Sequence, residues 1–158
     1  MREGNEISKT TAARILGAVG DSKSFPALTD ALANGEPSTI AEITRALHRL
    51  KATEAVPKMI SELFKNQNRD ISETIAKAVL ELGSLEDWLL VSFHRPKIAI
   101  STRPFDAAII DSGEKAVPGL AKLLQGSDAD VQREAAEMIA KIKRGEKYTD
   151  YSGFSDRI

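Results

Sequence analysis

The sequence has 158 residues, enough for one globular domain or for about four to five helical repeats. Apolar residues make up 42% and charged residues 28%, so both a proper core and a solvated exterior are expected. With 22 basic and 23 acidic side chains the formal net charge is −1, whereas nucleic-acid binders usually carry a clear basic excess. We therefore expect no nucleic-acid partner.

The absence of cysteine excludes disulfides, thiolate zinc sites and a cysteine nucleophile. No stretch of about 18 apolar residues is present, so no membrane insertion is expected. The first residues lack the apolar block of a signal peptide. These features predict a soluble protein of the cytoplasm.

The first predicted helix shows an apolar period near 3.6 residues. Its apolar residues are Ala12, Ile15, Leu16 and Val19. After it, apolar–proline pairs recur at a spacing near 31 residues, because Pro57 follows Pro26 by 31 positions and Pro118 follows Pro57 by 61. Proline is tolerated in the first turn of a helix, where its missing N–H has no helical partner, so each pair predicts a helix start.

Each pair is followed by apolar residues at the spacing i, i+3, i+7, which form one face of an amphipathic helix. The three sets are Phe25, Leu28, Leu32; Val56, Met59, Leu63; and Val117, Leu120, Leu124. Turn formers and N-cap residues at 34–38, 66–70 and 126–128 then separate each helix from a second one. The second helices are marked by Ile40, Ile43, Leu47, Leu50; by Ile71, Ile75, Ala78, Val79, Leu82; and by Val131, Ala135, Met138, Ile142.

One copy of the repeat is degenerate. Where an apolar–proline pair is expected, residues 85–91 contain Trp88 instead, for which burial is the favoured interpretation, and residues 94–104 show no clear period. Pro104 predicts a further helix over 105–111, and the polar stretch 143–158 predicts an irregular tail. We expect an almost entirely helical chain of about eight to nine helices.

The pattern G-D-x-x-x-[FV]-P-x-L from Gly20 to Leu28 and the Ala-Val-Pro triplets resemble HEAT-like repeats of the phycobilisome-lyase type, over residues 8 to 142. This resemblance implies an all-α fold, a right-handed α-solenoid of stacked antiparallel hairpins over residues 1–142. The physical reason is that one hairpin cannot bury its own apolar face, so stacked copies share a core. The family includes chromophore-lyase subunits and scaffolds without known chemistry, so it leaves the function open.

Three cations recur at the repeat period. Arg14, Arg45 and Lys77 occupy equivalent positions in successive second helices, 31 and 32 residues apart, and stacking would align them in a column. The resemblance implies that second helices line the concave side, which makes this column a candidate partner-binding surface. The alternative is a solvated face on which charges three or four residues apart pair with each other.

The two histidines and the irregular loop supply the other candidates for partner binding. His48 lies next to the core stripe of its helix, where a structural or surface role is the competing interpretation. His94, Arg95, Lys97 and Arg103 lie in the irregular loop, and loops on a rigid scaffold often carry binding residues.

No phosphate-cradling glycine loop, nucleophile elbow or HExxH motif is present, and the histidines are too far apart for a local metal motif. We therefore expect no catalytic residue, metal or cofactor. The first hypothesis is a protein-interaction scaffold, or a regulatory subunit of a larger assembly, that binds another protein. The alternative, implied only by the resemblance, is a bilin (tetrapyrrole) lyase or chaperone-like subunit of a chromophore-attachment or degradation system. The oligomeric state stays open.

Overall fold

A computed structural model describes residues 2–19, 22–33, 35–94 and 98–147; for residues 2–10 and 22 it describes the backbone alone. Within these ranges the regular structure is helical, without strands. The nine α-helices there are α1 (Arg2–Val19), α2 (Phe25–Leu32), α3 (Pro37–Arg49), α4 (Val56–Lys65), α5 (Arg69–Leu82), α6 (Leu85–Phe93), α7 (Arg103–Asp111), α8 (Val117–Leu123) and α9 (Ala129–Lys143). The predicted all-α class and helix number are confirmed for the described residues.

Proline lies in the first turn of five of the described helices, one of which is α3, beginning at Pro37. Pro26, Pro57, Pro104 and Pro118 all lie in the first turn of their helices, as the sequence predicts. Helix α6 lacks a proline and begins with a capping box instead. The Ser84 hydroxyl accepts a hydrogen bond from the Asp87 backbone N–H at 3.3 Å, and the Asp87 carboxylate accepts one from the Ser84 backbone N–H at 2.8 Å. The degenerate copy is therefore still a helix start.

The helices belong to two compact units, the first containing α1 to α5 and the second α6 to α9. In the first unit α1 packs on α3 and α3 on α5, while α2 and α4 pack on the helices that follow them. The core is apolar and fully buried, which supplies roughly 1.5–3 kcal/mol per large side chain. Its largest members are Leu32, Ile43, Leu47, Met59, Leu63, Ile75 and Val79.

The second unit has its own core. Helices α6 and α7 pack together, α8 packs on α9, and α7 also contacts α9. One cluster of its buried residues contains Phe93, Ile109, Ile110, Ala116, Leu120, Ala135, Met138 and Ile142. Trp88 and Val117 are partly buried against this core. The right-handed solenoid and the division at residue 142 stay predictions, and residues 148–158 lie outside the described part of the chain.

Leu124 departs from the predicted apolar face. Its repeat equivalents Leu32 and Leu63 are fully buried, but Leu124 is 37% exposed. Helix α8 has seven residues and ends at Leu123, whereas α4 has ten. Leu124 is the C-cap residue that follows α8, and Leu123, one position earlier, packs against the core. The prediction that Leu124 lies on the core face is wrong, because Leu123 occupies the core side at the end of α8.

Helices α1 and α3 approach closely at Gly17. A Cβ atom added to Gly17 would lie 2.7 Å from the Cβ of Ala46 and 2.9 Å from its Cα, closer than real atoms come. Glycine at position 17 therefore allows α1 and α3 to pack this closely. Ala13 is also buried on this face of α1, while Leu16 is only half-buried.

The two leucines at one repeat position give a matched stability test. Leu63→Ala is expected to lower the free energy of unfolding by about 2–5 kcal/mol, because it removes packed methyl groups and leaves a cavity. Leu124→Ala is expected to cost about 0.5 kcal/mol or less, as changes at exposed sites usually do. Urea unfolding followed by circular dichroism measures both. Equal losses would contradict the burial difference.

The close approach predicts opposite outcomes for two glycine replacements. Gly17→Ala is expected to destabilise the first unit, because the gain in helix propensity of roughly 1 kcal/mol is outweighed by overpacking against a rigid helix. Gly119→Ala would meet only the methyl end of Leu89 at 2.5 Å, which can rotate away, so we expect little change or a gain. Urea midpoints by circular dichroism compare the two, and Trp88 fluorescence follows the second unit alone. A stabilised Gly17→Ala would contradict the close α1–α3 contact.

Candidate binding surface

The three recurrent cations lie on helices that pack in sequence. Arg14, Arg45 and Lys77 belong to α1, α3 and α5, and all three side chains are exposed. None of them fills the core, which agrees with their position off the apolar face. Their part in binding a partner stays a prediction.

Arg45 is engaged within its own helix. Its Nη1 lies 2.7 Å from Oε1 of Glu42, three residues earlier, with side-chain exposures of 51% and 24%. An exposed pair of this kind contributes about 0–1 kcal/mol to stability. Arg45 therefore makes the intrahelical charge pair that the solvated-face interpretation predicts, and Glu42 balances part of its charge.

An open groove lies between α1 and α3, with a volume of about 440 Å³. It brings Arg14 of α1 together with two charged residues of α3, but its lining includes neither Arg45 nor Lys77. The lining residues are Thr11, Arg14, Ile15, Ala18, Glu42 and Arg49. Of the three cations predicted to form a column, only Arg14 lines this groove.

Arg49 was missed by the sequence reasoning. Glu42, Arg45 and Arg49 follow each other at i, i+3 and i+7, so they share one face of α3, and this spacing could have identified Arg49. The guanidinium Nε of Arg49 also donates to the backbone carbonyl oxygen of Arg45 at 3.3 Å. The groove therefore presents two guanidinium groups from two helices.

The outer side of α1 is apolar and exposed. Ile15 is 56% exposed and Val19 68% exposed, whereas Ala46 and Ala78, which hold the position of Ile15 in α3 and α5, are buried. The helix predicted through these apolar residues is confirmed, but its buried face contains Ala13 and Gly17 instead. These two residues lie on the face of α1 that packs on α3.

Residues 9–34 match the PBS lyase HEAT-like repeat. The resemblance expected from the sequence is confirmed over these residues, which include Arg14 and Ile15. No curated protein matches the chain. No helix among the described residues is both long and apolar enough to cross a membrane.

His48 links two helices of the same unit. Its Nε2 lies 2.7 Å from Oε2 of Glu81, so α3 and α5 are joined by a side-chain contact between residues one repeat apart. The side chains are 31% and 50% exposed, so the contact adds little to stability. The sequence offered no local signal for this contact, because Glu81 is 33 residues away. Partner binding by His48 stays a prediction.

The loop candidates belong to a different environment. His94 is the residue that caps the end of α6, and Arg103 begins α7; both are exposed. Arg95 and Lys97 lie outside the described residues, so of the four loop candidates only His94 and Arg103 are described. Partner binding by this loop stays a prediction.

The second unit contains a largely buried carboxyl group at Asp106. It accepts hydrogen bonds from the hydroxyls of Ser92 and, at 3.5 Å, Thr102. Burial raises the pKa of Asp106 above 3.8, the Glu134 carboxylate raises it further, and the Ser92 and Thr102 hydrogen bonds and the Lys141 charge oppose the shift. No group of three His, Cys, Asp or Glu side chains in the described residues is arranged to hold a metal ion. The Asp106 carboxyl group is therefore held by two hydroxyl groups and favours its protonated form more than an exposed aspartate does.

The raised pKa of Asp106 predicts a pH dependence of stability. Between 3.8 and the higher native pKa the folded state holds a proton that the unfolded chain has lost. The stability from this group is therefore complete below 3.8 and is lost as pH rises through the native pKa. Asp106→Asn removes this titration, so the unfolding free energy of the variant relative to wild type is expected to increase across that window and then level off.

Urea unfolding at a series of pH values measures this difference. Asp130→Asn serves as the control, because Asp130 is an exposed carboxylate of the same unit, 59% exposed and paired with Arg133. A difference between Asp106→Asn and wild type that does not change with pH would contradict the burial of a protonated Asp106.

Proposed function

We propose that this chain is a non-catalytic interaction scaffold, or a regulatory subunit, that presents a helical surface to a protein partner. The observation that carries the proposal is the row α1, α3, α5, whose members pack on each other and expose a cation at each equivalent position. Proteins built from helical repeats use the extended surfaces of such rows to bind other proteins. The matched HEAT-like repeat at 9–34 supports this interpretation.

The charge distribution supports a protein partner of acidic or mixed charge. Arg14, Arg45 and Lys77 are exposed and are not needed by the core, so the fold alone gives no reason for cations at these positions. Cations at an interface mainly orient the partner and speed the encounter. We further propose that the hairpins of each unit stack as in a right-handed α-solenoid. We also propose that the protein acts in the cytoplasm.

A bilin lyase or chaperone-like subunit is the second candidate. It is favoured by the family match, whose description names a PBS lyase repeat. In that case the reactive groups would come from a partner subunit, because the sequence contains no evident general acid or nucleophile in a recognisable motif. Visible absorbance distinguishes the two functions, because a bound tetrapyrrole absorbs visible light and a protein partner alone does not.

Capture from the native source tests the proposal. Tagged chain is expected to retain one protein in stoichiometric amount without visible absorbance. The variant Arg45→Glu/Lys77→Glu is expected to bind that protein about tenfold more weakly with nearly unchanged melting temperature, because exposed cations support association more than folding. Arg95→Glu/Lys97→Glu tests the loop in the same way.

The matched control is Arg69→Glu/Arg133→Glu, which makes the same charge change at arginines that are 77% and 63% exposed. It is expected to bind like the wild type. Capture of a coloured species would favour the lyase or chaperone function. The scaffold proposal fails if no protein is retained in stoichiometric amount.

A further inference from the structure

We infer that Lys51, directly after the end of α3, is a contact residue for an acidic segment of the protein partner, and that the chain keeps it there although glycine would make the fold more stable. This inference rests on the proposed scaffold function, and it names one contact and the chemical group that is bound. It depends on a comparison of helix ends within this chain.

The backbone of Lys51 lies in the left-handed region. Its φ is 54°, and it is the one residue other than glycine with a positive φ in the described part of the chain. In this region the Cβ atom of an L-residue comes too close to the following carbonyl oxygen, so glycine is favoured over lysine. Lysine at position 51 therefore lowers the stability of the fold relative to glycine.

The hydrogen bonds at the end of α3 require this backbone conformation. The Ala52 backbone N–H donates to the Leu47 carbonyl oxygen at 3.0 Å, and the Lys51 N–H donates to the His48 carbonyl oxygen at 3.0 Å. This pair of bonds is the Schellman motif, which satisfies two carbonyl groups at a helix end through a left-handed residue. The strain at Lys51 is thus a consequence of how α3 ends.

Helix α9 ends in the same way with glycine in the left-handed position. The Glu146 backbone N–H donates to the Lys141 carbonyl oxygen at 3.1 Å. The N–H of Gly145 donates to the Ile142 carbonyl oxygen at 2.9 Å, and φ of Gly145 is 70°. The two helix ends therefore share their hydrogen bonds and differ in the residue that adopts the left-handed conformation.

Glycine occupies this place at other helix ends of the chain. Gly113 follows the C-cap residue of α7 with a φ of 61°. The sequence also has Gly20, which precedes Lys51 by 31 residues, the spacing of the repeat. The lysine is thus a departure from the residue that the repeat itself favours. Strained residues of this kind are concentrated at functional sites, where something other than the fold requires the side chain.

The helix dipole does not account for the lysine. Cations near the C-terminus stabilise a helix, but α3 already has the basic residues His48 and Arg49 in its last turn. Helix α9 has Lys141 and Lys143 in its last turn and still uses Gly145 as its left-handed residue. A cation that compensates the dipole can therefore lie on right-handed backbone, where it causes no strain.

The charge of Lys51 is available to a partner. Its side chain is exposed, and no other residue in the described ranges makes a hydrogen bond or an ion pair with its ammonium group. Arg49, two residues earlier, is also exposed, and its Nε donates to a backbone carbonyl oxygen rather than to a carboxylate. Carboxylates form strong charge-assisted hydrogen bonds with such cations, so glutamate or aspartate side chains of the partner complement this end of α3.

Unfolding in urea tests the cost of the lysine. Lys51→Gly is expected to raise the urea midpoint, with the ratio of folded to unfolded chain increased about threefold to tenfold, because glycine adopts this backbone without strain. Gly145→Lys is the converse variant and is expected to lower the midpoint, since an added Cβ meets nothing within 4 Å and only the backbone is strained. Lys115→Gly removes the same charge from an exposed residue of right-handed backbone, so it is expected not to raise the midpoint.

The probe for binding is a blocked oligoglutamate peptide, with an oligolysine peptide as its control. At low ionic strength, where exposed charges are least screened, the oligoglutamate is expected to shift the amide signals of residues 49–52 in the ¹⁵N-labelled full chain, and the oligolysine is not. Lys51→Gly and Lys51→Asn are expected to bind the oligoglutamate about threefold more weakly, and Lys51→Arg like the wild type. Asparagine tolerates left-handed backbone, so it removes the charge without the added flexibility of glycine. Lys115→Gly is expected to leave the affinity unchanged.

The protein that the wild type retains from its native source provides the decisive comparison. Lys51→Gly is expected to bind this protein about threefold more weakly although its urea midpoint is higher, a combination that a structural role of the lysine would not produce. A midpoint of Lys51→Gly that is unchanged or lower overturns the inference. Wild-type affinity of Lys51→Gly for the oligoglutamate or for the retained protein also overturns it, as does weaker binding by Lys51→Arg. Each of these results leaves the scaffold proposal standing, which fails separately when the wild type retains no protein.

Discussion

The contact between Gly17 and Ala46 is the point on which the first unit depends. Helices α1 and α3 come so close there that no side chain fits on one of them, and the buried faces of α3 and α5 continue from this contact. A single hairpin in water would expose half of its apolar residues, and the row removes this cost because each helix covers the next. The spacing of α1 and α3 also sets the width of the groove between them, which Arg14 lines.

Local sequence signals predicted the helices well because their causes are local. Proline at Pro26, Pro57, Pro104 and Pro118 fixes the first turn wherever it occurs in the fold. The N-caps Asn68 and Asp128 accept hydrogen bonds from backbone N–H groups within three residues, so they too depend on nearby chain alone. The capping box at Ser84 explains why α6 keeps its start without a proline.

Burial and pairing between helices could be predicted only in part. Ile15 and Leu124 both satisfy the apolar pattern, yet both are exposed. The His48–Glu81 contact and the meeting of Arg14 with Arg49 join residues from different helices. Such contacts depend on how far each helix extends and how it is rotated against its neighbour, and a periodic pattern in one segment contains neither quantity.

Helix α1 is buried on one face, whereas α3 is held between α1 and α5, and this difference sets the order in which the first unit opens. In a row of helices each member is stabilised by its neighbours, so local opening requires the least free energy where a neighbour is absent. Because α1 packs on α3 while α3 packs on both α1 and α5, amide hydrogens of α1 are expected to exchange with solvent through smaller fluctuations than those of α3. Any molecule that packs on the exposed side of α1 would add contacts to this helix, so association and local order in α1 are thermodynamically linked.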